Sequence, residues 1–303
     1  EVFKRKTAPT DISSYLPTTV DLAFGAKKEI FEYSDRVGEA SIVGGSPDNI
    51  PFVDVFVTEE EHPIISTMVG YRYSFQELDA LNFAASRGQS FSGDIGTMRM
   101  EAAIEALQLK EHLIGCYGSP SHGVYGLFNN PNVPEYDETG FNPYTVDPDT
   151  GAGDLHDWYV QTIHATIKEN TLLTEKPTII IQPDRLTTKL ATTFRAAASD
   201  TTALEMIQKT LSSLGIVQIV SRNEVRSDWL EKYGVDVGGT NKDMLFIYDL
   251  NSRIVNRKIS PVRTLPFEYS NGMYKRLMYQ TLSSTKFHYP NGALYVRFPK
   301  YTP

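Results

Sequence analysis

The sequence predicts an α+β protein, and three features of its 303 residues support this class. Several stretches show apolar residues at helical spacing, and others alternate in the manner of strands. Helices and strands do not follow one another in a sustained βαβ order, which a doubly wound parallel sheet would require. The last part of the chain, from about residue 254, is β-like and aromatic. We therefore expect sheets with helices packed on them.

Composition sets limits on the function. Hydrophobic residues make up 41% and charged residues 22%, which is ordinary for a globular protein. No apolar run approaches the ~20 residues of a membrane span, so we expect no membrane partner. The net charge of −8 argues against a protein that coats nucleic acid by neutralising phosphates, although a container whose inner wall faces DNA stays possible. Cys116 is the single cysteine, so no internal disulfide is expected.

The first 70 residues lack the pattern of a self-supporting core. Residues 1–32 are polar and rich in Thr and Pro, which is typical of an extended arm. Residues 33–70 indicate two β segments around the turn "GGSPDN". A two-stranded ribbon of this length cannot bury both of its faces. Arm and ribbon are therefore expected to need support from another surface.

The end of the ribbon is acidic. "TEEEH" at 58–62 places three carboxylates beside a histidine, a combination that can perform acid–base chemistry. Successive strand residues face opposite ways, so Glu59 and Glu61 are separated from Glu60. A solvated acidic edge, or one that meets a basic neighbour, is the preferred interpretation. The candidate contact residues of the ribbon are Asp54, Phe56, Glu59, Glu60, Glu61 and His62.

Two helices follow the ribbon. Ser74 and Glu77 form a capping box at the start of "SFQELDALNFAASRG". A longer helix is predicted over 97–114, a rod of roughly 27 Å. Its apolar face consists of Met100, Ile104, Leu107 and Ile114. The charged residues Arg99, Glu105 and Glu111 are expected to face outward.

Later segments alternate in shorter units. Asp154 is predicted to cap a helix that runs to about residue 170. A buried strand "PTIIIQP" precedes two amphipathic helices, the second ending at Gly215, and the strands "IVQIVS" and "DMLFIYDL" come next. These short units continue the mixed α+β pattern.

Three motifs invite a chemical interpretation, and each has a simpler one. "VDVGGTNKD" resembles the phosphate turn of sugar-kinase and actin-like ATPases, but only about sixty residues follow it, so a glycine turn is preferred. "DPDTGAGD" could suggest a calcium loop, but Trp158 stands where the bidentate glutamate belongs. Cys116 or Ser119 with a histidine could form a hydrolase site, although a helix C-terminus disfavours a thiolate. We expect no metal and no cofactor.

The stretch "GCYGSPSHGVYGLFNNPNVP" at 115–134 is the part of the sequence that most clearly resembles a known family. Together with the order of arm, ribbon, capped helix and long helix, it resembles the major capsid proteins of tailed bacteriophages with the Hong Kong 97-like fold. In that family the long helix is followed by a glycine turn and a "GL-x-N-x-P"-like phrase. The matching turn residues are Gly115, Gly118, Gly123, Gly126, Leu127, Asn129 and Pro131.

The resemblance implies a domain organisation. It assigns an N-terminal arm (1–32), an extended loop (33–70), a peripheral domain with its spine helix (71–171), an axial domain (172–265) and closing strands of the peripheral domain (266–303). The implied function is that of a virion protein that self-assembles into the pentamers and hexamers of an icosahedral head shell. An encapsulin-type nanocompartment shell is the alternative within the same fold.

The resemblance also implies partners. They are other copies of the chain, a portal, cement or decoration proteins, and packaged double-stranded DNA at the inner face. Some relatives cross-link through a lysine in the extended loop, but no lysine lies between Lys28 and Lys110 here. We therefore expect non-covalent assembly. By charge alone, Glu59, Glu60 and Glu61 are expected to meet Arg87 or Arg99 of an adjacent copy.

Overall fold

The computed structural model describes residues 11–37, 54–86, 95–171, 177–196, 199–215, 218–235 and 242–302. Helices and strands alternate irregularly along these ranges, as the α+β class requires. In chain order they are β1 Thr18–Val20, β2 Lys28–Val37, β3 Asp54–Ser74, α1 Phe75–Ser86, α2 Ile95–Tyr117, β4 Glu135–Asp137, α3 Ala152–Thr171, β5 Ile179–Pro183, α4 Asp184–Thr192, α5 Ala203–Leu214, β6 Gln218–Arg222, α6 Ser227–Lys232, β7 Lys242–Tyr248, β8 Val255–Ile259, β9 Arg263–Thr264, β10 Glu268–Ser270, β11 Met273–Ser283, β12 Lys286–Phe287 and β13 Leu294–Pro299.

The described strands form two sheets. The larger follows the order β1-β8-β11-β3-β2, with β9 and β10 paired to β11 and β12 paired to β8. The smaller follows the order β4-β13-β7-β5-β6. Pairs β1–β8, β4–β13 and β5–β6 are parallel, and the other pairs are antiparallel. Mixed sheets dominated by antiparallel pairs confirm the α+β class.

Strand β3 is shared between the ribbon and the body of the larger sheet. Its first half, up to Pro63, pairs with β2 over ten residue pairs and forms the ribbon. Its second half, from Ile64 to Ser74, pairs with β11 and lies inside the larger sheet. The ribbon therefore begins earlier than residue 33 and its second strand leaves it well before residue 70. The predicted turn "GGSPDN" lies outside the described residues.

The prediction that the whole arm lacks a core is wrong for residues 11–20. Ile12, Tyr15 and Leu16 are buried in the main hydrophobic cluster, beside strand β7 and the end of α2. Strand β1 adds to the larger sheet alongside β8. The aromatic and aliphatic side chains of "DISSYL" supply the burial that the Thr- and Pro-rich flanks do not. Residues 1–10 lie outside the described part of the chain.

Helix α2 is longer than the predicted 97–114 and packs on the larger sheet. Ala103 and Leu107 contact Met278, and Ile114 packs with Leu282. The capping box at the start of α1 is confirmed, because the Ser74 and Glu77 side chains each accept from the other residue's backbone N–H. Glu111 does not face outward as expected, since it forms an ion pair with the buried Arg257.

The smaller sheet packs against helices α3, α4 and α5. These helices and the sheet bury one continuous cluster that includes Leu155, Ile163, Ile180, Leu190, Ile207 and Phe298. The strands of this sheet come from before residue 171, from 172–265 and from after residue 266. The smaller sheet thus combines strands from three of the predicted segments, so the sheets do not coincide with the predicted domains. The domain limits remain predictions.

Candidate functional site

The glycine turn after α2 folds back along the last turn of the helix. The N–H groups of Leu127 and Phe128 donate to the carbonyls of Gly115 and Cys116 at 2.7 and 2.9 Å. The side chain of Asn129 donates to the carbonyl of Tyr117 at 2.7 Å. A helix end leaves its last carbonyls without helical partners, and the returning chain satisfies them. Asn129 also accepts from the N–H of Gly126 at 2.6 Å, which closes the turn.

Glycine is required in this turn for two different reasons. Gly118 and Gly123 have φ angles of +65° and +69°, in the left-handed region that glycine adopts without strain. At Gly126 a Cβ would lie 2.5 Å from the carbonyl carbon of Cys116, so no side chain fits between the two backbones. Leu127 is fully buried beneath the turn, whereas Pro131 is exposed.

Gly115 plays a different part from the one predicted. Helix α2 continues to Tyr117, so Gly115 does not end the helix. A Cβ at this position would collide with the guanidinium of Arg257, which crosses the helix there. The glycine is therefore explained by the close approach of a distant side chain, which a local pattern does not reveal.

The residues of the hydrolase alternative do not form one site. Cys116 is buried, and its Sγ lies 3.8 Å from Nε2 of His112. The same Nε2 lies 3.1 Å from a carboxylate oxygen of Glu224, so thiol and carboxylate share one ring nitrogen instead of flanking the ring. Burial raises the pKa of the Cys116 thiol well above its usual value, which keeps it protonated.

Ser119 contacts a different histidine. Its Oγ lies 2.8 Å from Nδ1 of His122, and the Oγ of Ser121 lies 3.0 Å from the same atom. Ser121 and His122 are exposed on a short turn. Two hydroxyls that share one histidine nitrogen on the surface form a local turn contact, unlike the pairing of a single nucleophile with its own base in a hydrolase.

The other two motifs fall short of a site as well. Within "DPDTGAGD", a side-chain oxygen of Asp147 accepts from the N–H of Asp149 at 3.0 Å, which is a turn contact. Helix α3 begins at Ala152, so Asp154 lies in its first turn and is not the cap that was predicted. The glycines of "VDVGGTNKD" fall outside the described residues. Among the described residues no cluster of three or more His, Cys, Asp or Glu side chains could hold a metal ion.

A charged cluster joins the base of the ribbon to the body. Glu29 of β2 pairs with Lys286 and, at 2.9 Å, with Lys258. Lys286 lies 3.4 Å from the ring centre of Phe31. Lys286 is almost fully buried, and this burial lowers its pKa to about 8, with Glu29 acting in the opposite direction. Local sequence patterns do not reveal this cluster, because Glu29 and Phe31 lie more than 200 residues from Lys258 and Lys286.

The predicted ribbon residues divide between two faces. Glu60 and His62 lie on the face that carries Glu29 and Phe31, and His62 is buried with its Nε2 3.5 Å from Glu60. Glu59 and Glu61 lie on the opposite face and are exposed. Glu61 pairs with Lys28 of the neighbouring strand. Asp54 and Phe56 stand at the far end of β3, and their side chains are outside the described part of the structure.

Arg99, one predicted partner of the acidic ribbon, is already engaged within its own subunit. Its two terminal nitrogens lie 3.0 and 2.8 Å from the carboxylate oxygens of Glu77. These hydrogen bonds from Arg99 lower the pKa of Glu77 to about 2. Arg87, the other predicted partner, lies outside the described residues. The geometry therefore does not favour Arg99 as the contact of a neighbour's glutamates.

Comparison with known proteins identifies the family. A family model for major capsid proteins matches residues 38–297, which is most of the chain. The chain belongs to the major capsid protein family. It is a structural protein of the phage head shell, located in the virion capsid, and it is not an enzyme. A search of curated proteins finds no match.

Solved structures show the same fold at low sequence identity. The capsid of Myoviridae phage XM1 aligns at a TM-score of 0.71 with 15% identity, over 98% of this chain and 95% of that one. Gordonia phage Cozz aligns at 0.57 with 16% identity, over 99% and 90%. The mature capsid of bacteriophage PhiM1 aligns at 0.57 with 11% identity, over 100% and 91%. The fold is thus the Hong Kong 97-like capsid fold that the sequence resembles.

No helix among the described residues has the length and apolar character that crossing a membrane would take.

Proposed function

We propose that this major capsid protein assembles non-covalently into pentamers and hexamers, which close into the icosahedral head of a tailed phage around double-stranded DNA. The ribbon carries this proposal. Among the described strands, residues 54–63 pair with β2 alone, and Ile30, Val55 and Val57 on the ribbon are 57, 52 and 62% exposed. Apolar side chains so open to water favour contact with another subunit.

The remaining parts take the roles that the family resemblance implies. The N-terminal arm (1–32) would cross a neighbour. Residues 172–265, with helices α4 and α5, would form the axial domain. Residues 71–171 with helix α2, together with the closing strands in 266–303, would form the peripheral domain. A portal and cement or decoration proteins are further partners of such a shell, and DNA would meet its inner face.

Electron microscopy of the purified protein, joined with sedimentation velocity, tests the proposal. We expect closed particles of one or a few diameters, with fivefold and sixfold rings in averaged images. Many weak contacts act together in such a shell, so particles should coexist with free subunits and few partial assemblies. A chain that stays monomeric, or forms only dimers over a wide range of concentration and salt, would contradict the proposal.

A further inference from the structure

One face of the ribbon holds two opposed glutamates beside a row of exposed valines. Glu32 and Glu59 are direct cross-strand partners, and both are exposed. Like charges directly opposite one another destabilise a strand pair. Val57 and Val55 lie two and four residues before Glu59, so they share its face. This face therefore holds an unfavourable acidic pair beside exposed apolar side chains, while Arg36 is the cross-strand partner of Val55 at one end and Lys28 pairs with Glu61 at the other.

The exposed face of the β3–β11 ladder shows the reverse charge. Arg72 and Lys275 are direct cross-strand partners, and both are exposed. Two residues before Arg72 stands Gly70, and the side chain of Leu277 from β11 lies over it. Four residues before Arg72 stands Met68, which is 60% exposed. This face combines a repelling pair of cations with the exposed side chain of Met68, and Phe24 of the same subunit packs on Tyr279 beside it.

The surroundings of this second face are positive on balance. Arg263 of β9 pairs with Tyr279, which in turn pairs with Met68, so Arg263 stands on the same face. Glu268 of β10 stands opposite Lys275 and brings one negative charge. Among the described residues of these strands, three cations thus face one carboxylate, and the face attracts an acidic surface.

The two faces match in spacing as well as in charge. On the ribbon the order along β3 is Val55, Val57 and then Glu59, with Glu32 beside it. On the sheet the order is Met68, then Gly70 covered by Leu277, then Arg72 with Lys275 beside it. Each step is two residues, about 6.6 Å, and each charged pair spans one strand spacing of roughly 5 Å. Apolar side chains would therefore meet while both charged pairs are neutralised.

One subunit cannot make this contact with itself. Glu59 and Arg72 belong to the same continuous strand. Thirteen residues of strand separate them by about 43 Å, and an unbroken strand cannot bend back on itself. The contact must therefore join two copies, and it uses different surfaces on each of them. Such a heterologous contact generates rings when its rotation closes.

We propose that the ribbon face with Glu32, Val55, Val57 and Glu59 docks on the β3–β11 face with Met68, Arg72, Lys275 and Leu277 of a second copy. This inference rests on the proposed function and deepens it, because it names both halves of a subunit contact. The two like-charged pairs, each unfavourable within its own subunit, neutralise one another across the interface.

Charge exchange tests the docking. The ribbon variant is Glu32→Lys with Glu59→Lys, the sheet variant is Arg72→Glu with Lys275→Glu, and the combined variant carries all four changes. Since like charges placed across an interface cost several kcal/mol, we expect each two-residue variant to lower the yield of closed particles at least about tenfold. The combined variant should restore the yield. Reversal of two exposed cations elsewhere, Lys209→Glu with Arg253→Glu, serves as the matched control.

The outcomes separate this inference from the proposed function. If the unmodified protein forms no shell, the proposed function fails. If it forms shells and both two-residue variants do so equally well, the docking is overturned. Loss of assembly without restoration in the combined variant, with folded subunits by circular dichroism, also overturns it. The faces would then serve other occupants, such as the arm or DNA.

Cross-linking gives an answer that does not depend on charge reversal. In assembled particles of the Glu59→Cys, Arg72→Cys variant, a short bismaleimide should link subunit to subunit and give a ladder on a denaturing gel. Each single cysteine variant should give no ladder, because the contact joins unlike positions. Cys116 is buried and should stay unreactive. Assembled particles of the two-cysteine variant that yield only monomers would overturn the docking.

Discussion

Arg257 and Glu111 form an ion pair inside the subunit, with 3.2 Å between a guanidinium nitrogen and a carboxylate oxygen. Arg257 is only 1% exposed, and its second terminal nitrogen donates to the backbone carbonyl of Glu111 at 3.2 Å. Burial lowers the pKa of the guanidinium, while Glu111 acts against that shift. The pair joins strand β8 to the last turns of helix α2, at the point where Gly115 makes room for it.

Removing the carboxylate should destabilise the subunit strongly. Glu111→Gln leaves the buried guanidinium without its counter-charge, and we expect a loss of about 3 kcal/mol in the free energy of unfolding. Urea denaturation of unassembled subunits measures this loss. Glu105→Gln on the same helix is the control, because Glu105 is exposed and a surface change should stay within about 0.5 kcal/mol. Equal stability of the two variants would contradict the role of the pair.

A side chain at Gly126 should disturb the turn after α2. Gly126→Ala places a methyl group against the backbone of Cys116, and we expect a loss of about 1–3 kcal/mol, with a larger loss for Gly126→Val. The thermal midpoint of unassembled subunits measures the effect. Gly153→Ala is the matched control, since nothing lies within 4 Å of its added Cβ on helix α3. Ser121→Ala, on the exposed part of the turn, should be silent.

Lys286 should make stability depend on pH in the alkaline range. Its pKa is about 8 in the folded subunit against an ordinary value of 10.5, so between these values the unfolded chain holds a proton that the folded one lacks. The free energy of unfolding should therefore gain from this group as the pH rises through that window. His62 and His288 have lowered pKa values and stay neutral there, while Glu29 stays ionised.

The variant Lys286→Met isolates this contribution. Unfolding of the two proteins at a series of pH values between about 8 and 10 gives the difference in stability, in which the other titrating groups cancel. The difference should shift in favour of the unmodified protein as the pH rises. Parallel curves for the two proteins would show that Lys286 does not titrate in this window.

Cys116 should not react in the folded subunit. Its thiol is buried and its pKa is raised, so a thiol reagent such as Ellman's reagent should find no reactive group under native conditions. In denaturant the same reagent should titrate one thiol per chain. Rapid native modification would contradict the packing described for this residue.

Mature shells should separate into monomers on a denaturing gel. No lysine lies between Lys28 and Lys110, so the predicted extended loop (33–70) cannot supply the lysine of a covalent cross-link, and Lys28 at the base of the ribbon forms an ion pair with Glu61 of its own subunit. We expect a single band at the mass of one chain after the particles are boiled in detergent. A ladder of covalent multimers would show that another residue performs the linkage.

Features that depend on residues close together in the sequence were predicted best. The capping box of Ser74 and Glu77, the apolar face of α2 and the glycines at 118 and 126 follow from local rules of helix ends and turns. Contacts between distant segments could not be predicted this way. Glu111 looks like a surface residue until Arg257 approaches it, and Glu29 meets Lys286 across nearly the whole chain. The order of segments indicated the family, and solved capsid structures align over nearly the whole chain at only 11–16% identity.

Strand β3 has a mechanical consequence. Ten residue pairs tie its first half to β2 and eleven tie its second half to β11, all along one unbroken backbone. A pull on the ribbon along the strand axis would load the hydrogen bonds to β11 together, in shear, and not one after another as in peeling. Shear of a whole ladder resists far more force than peeling does. In a shell whose subunits contact one another through the ribbon, tension would thus enter each larger sheet along its stiffest direction.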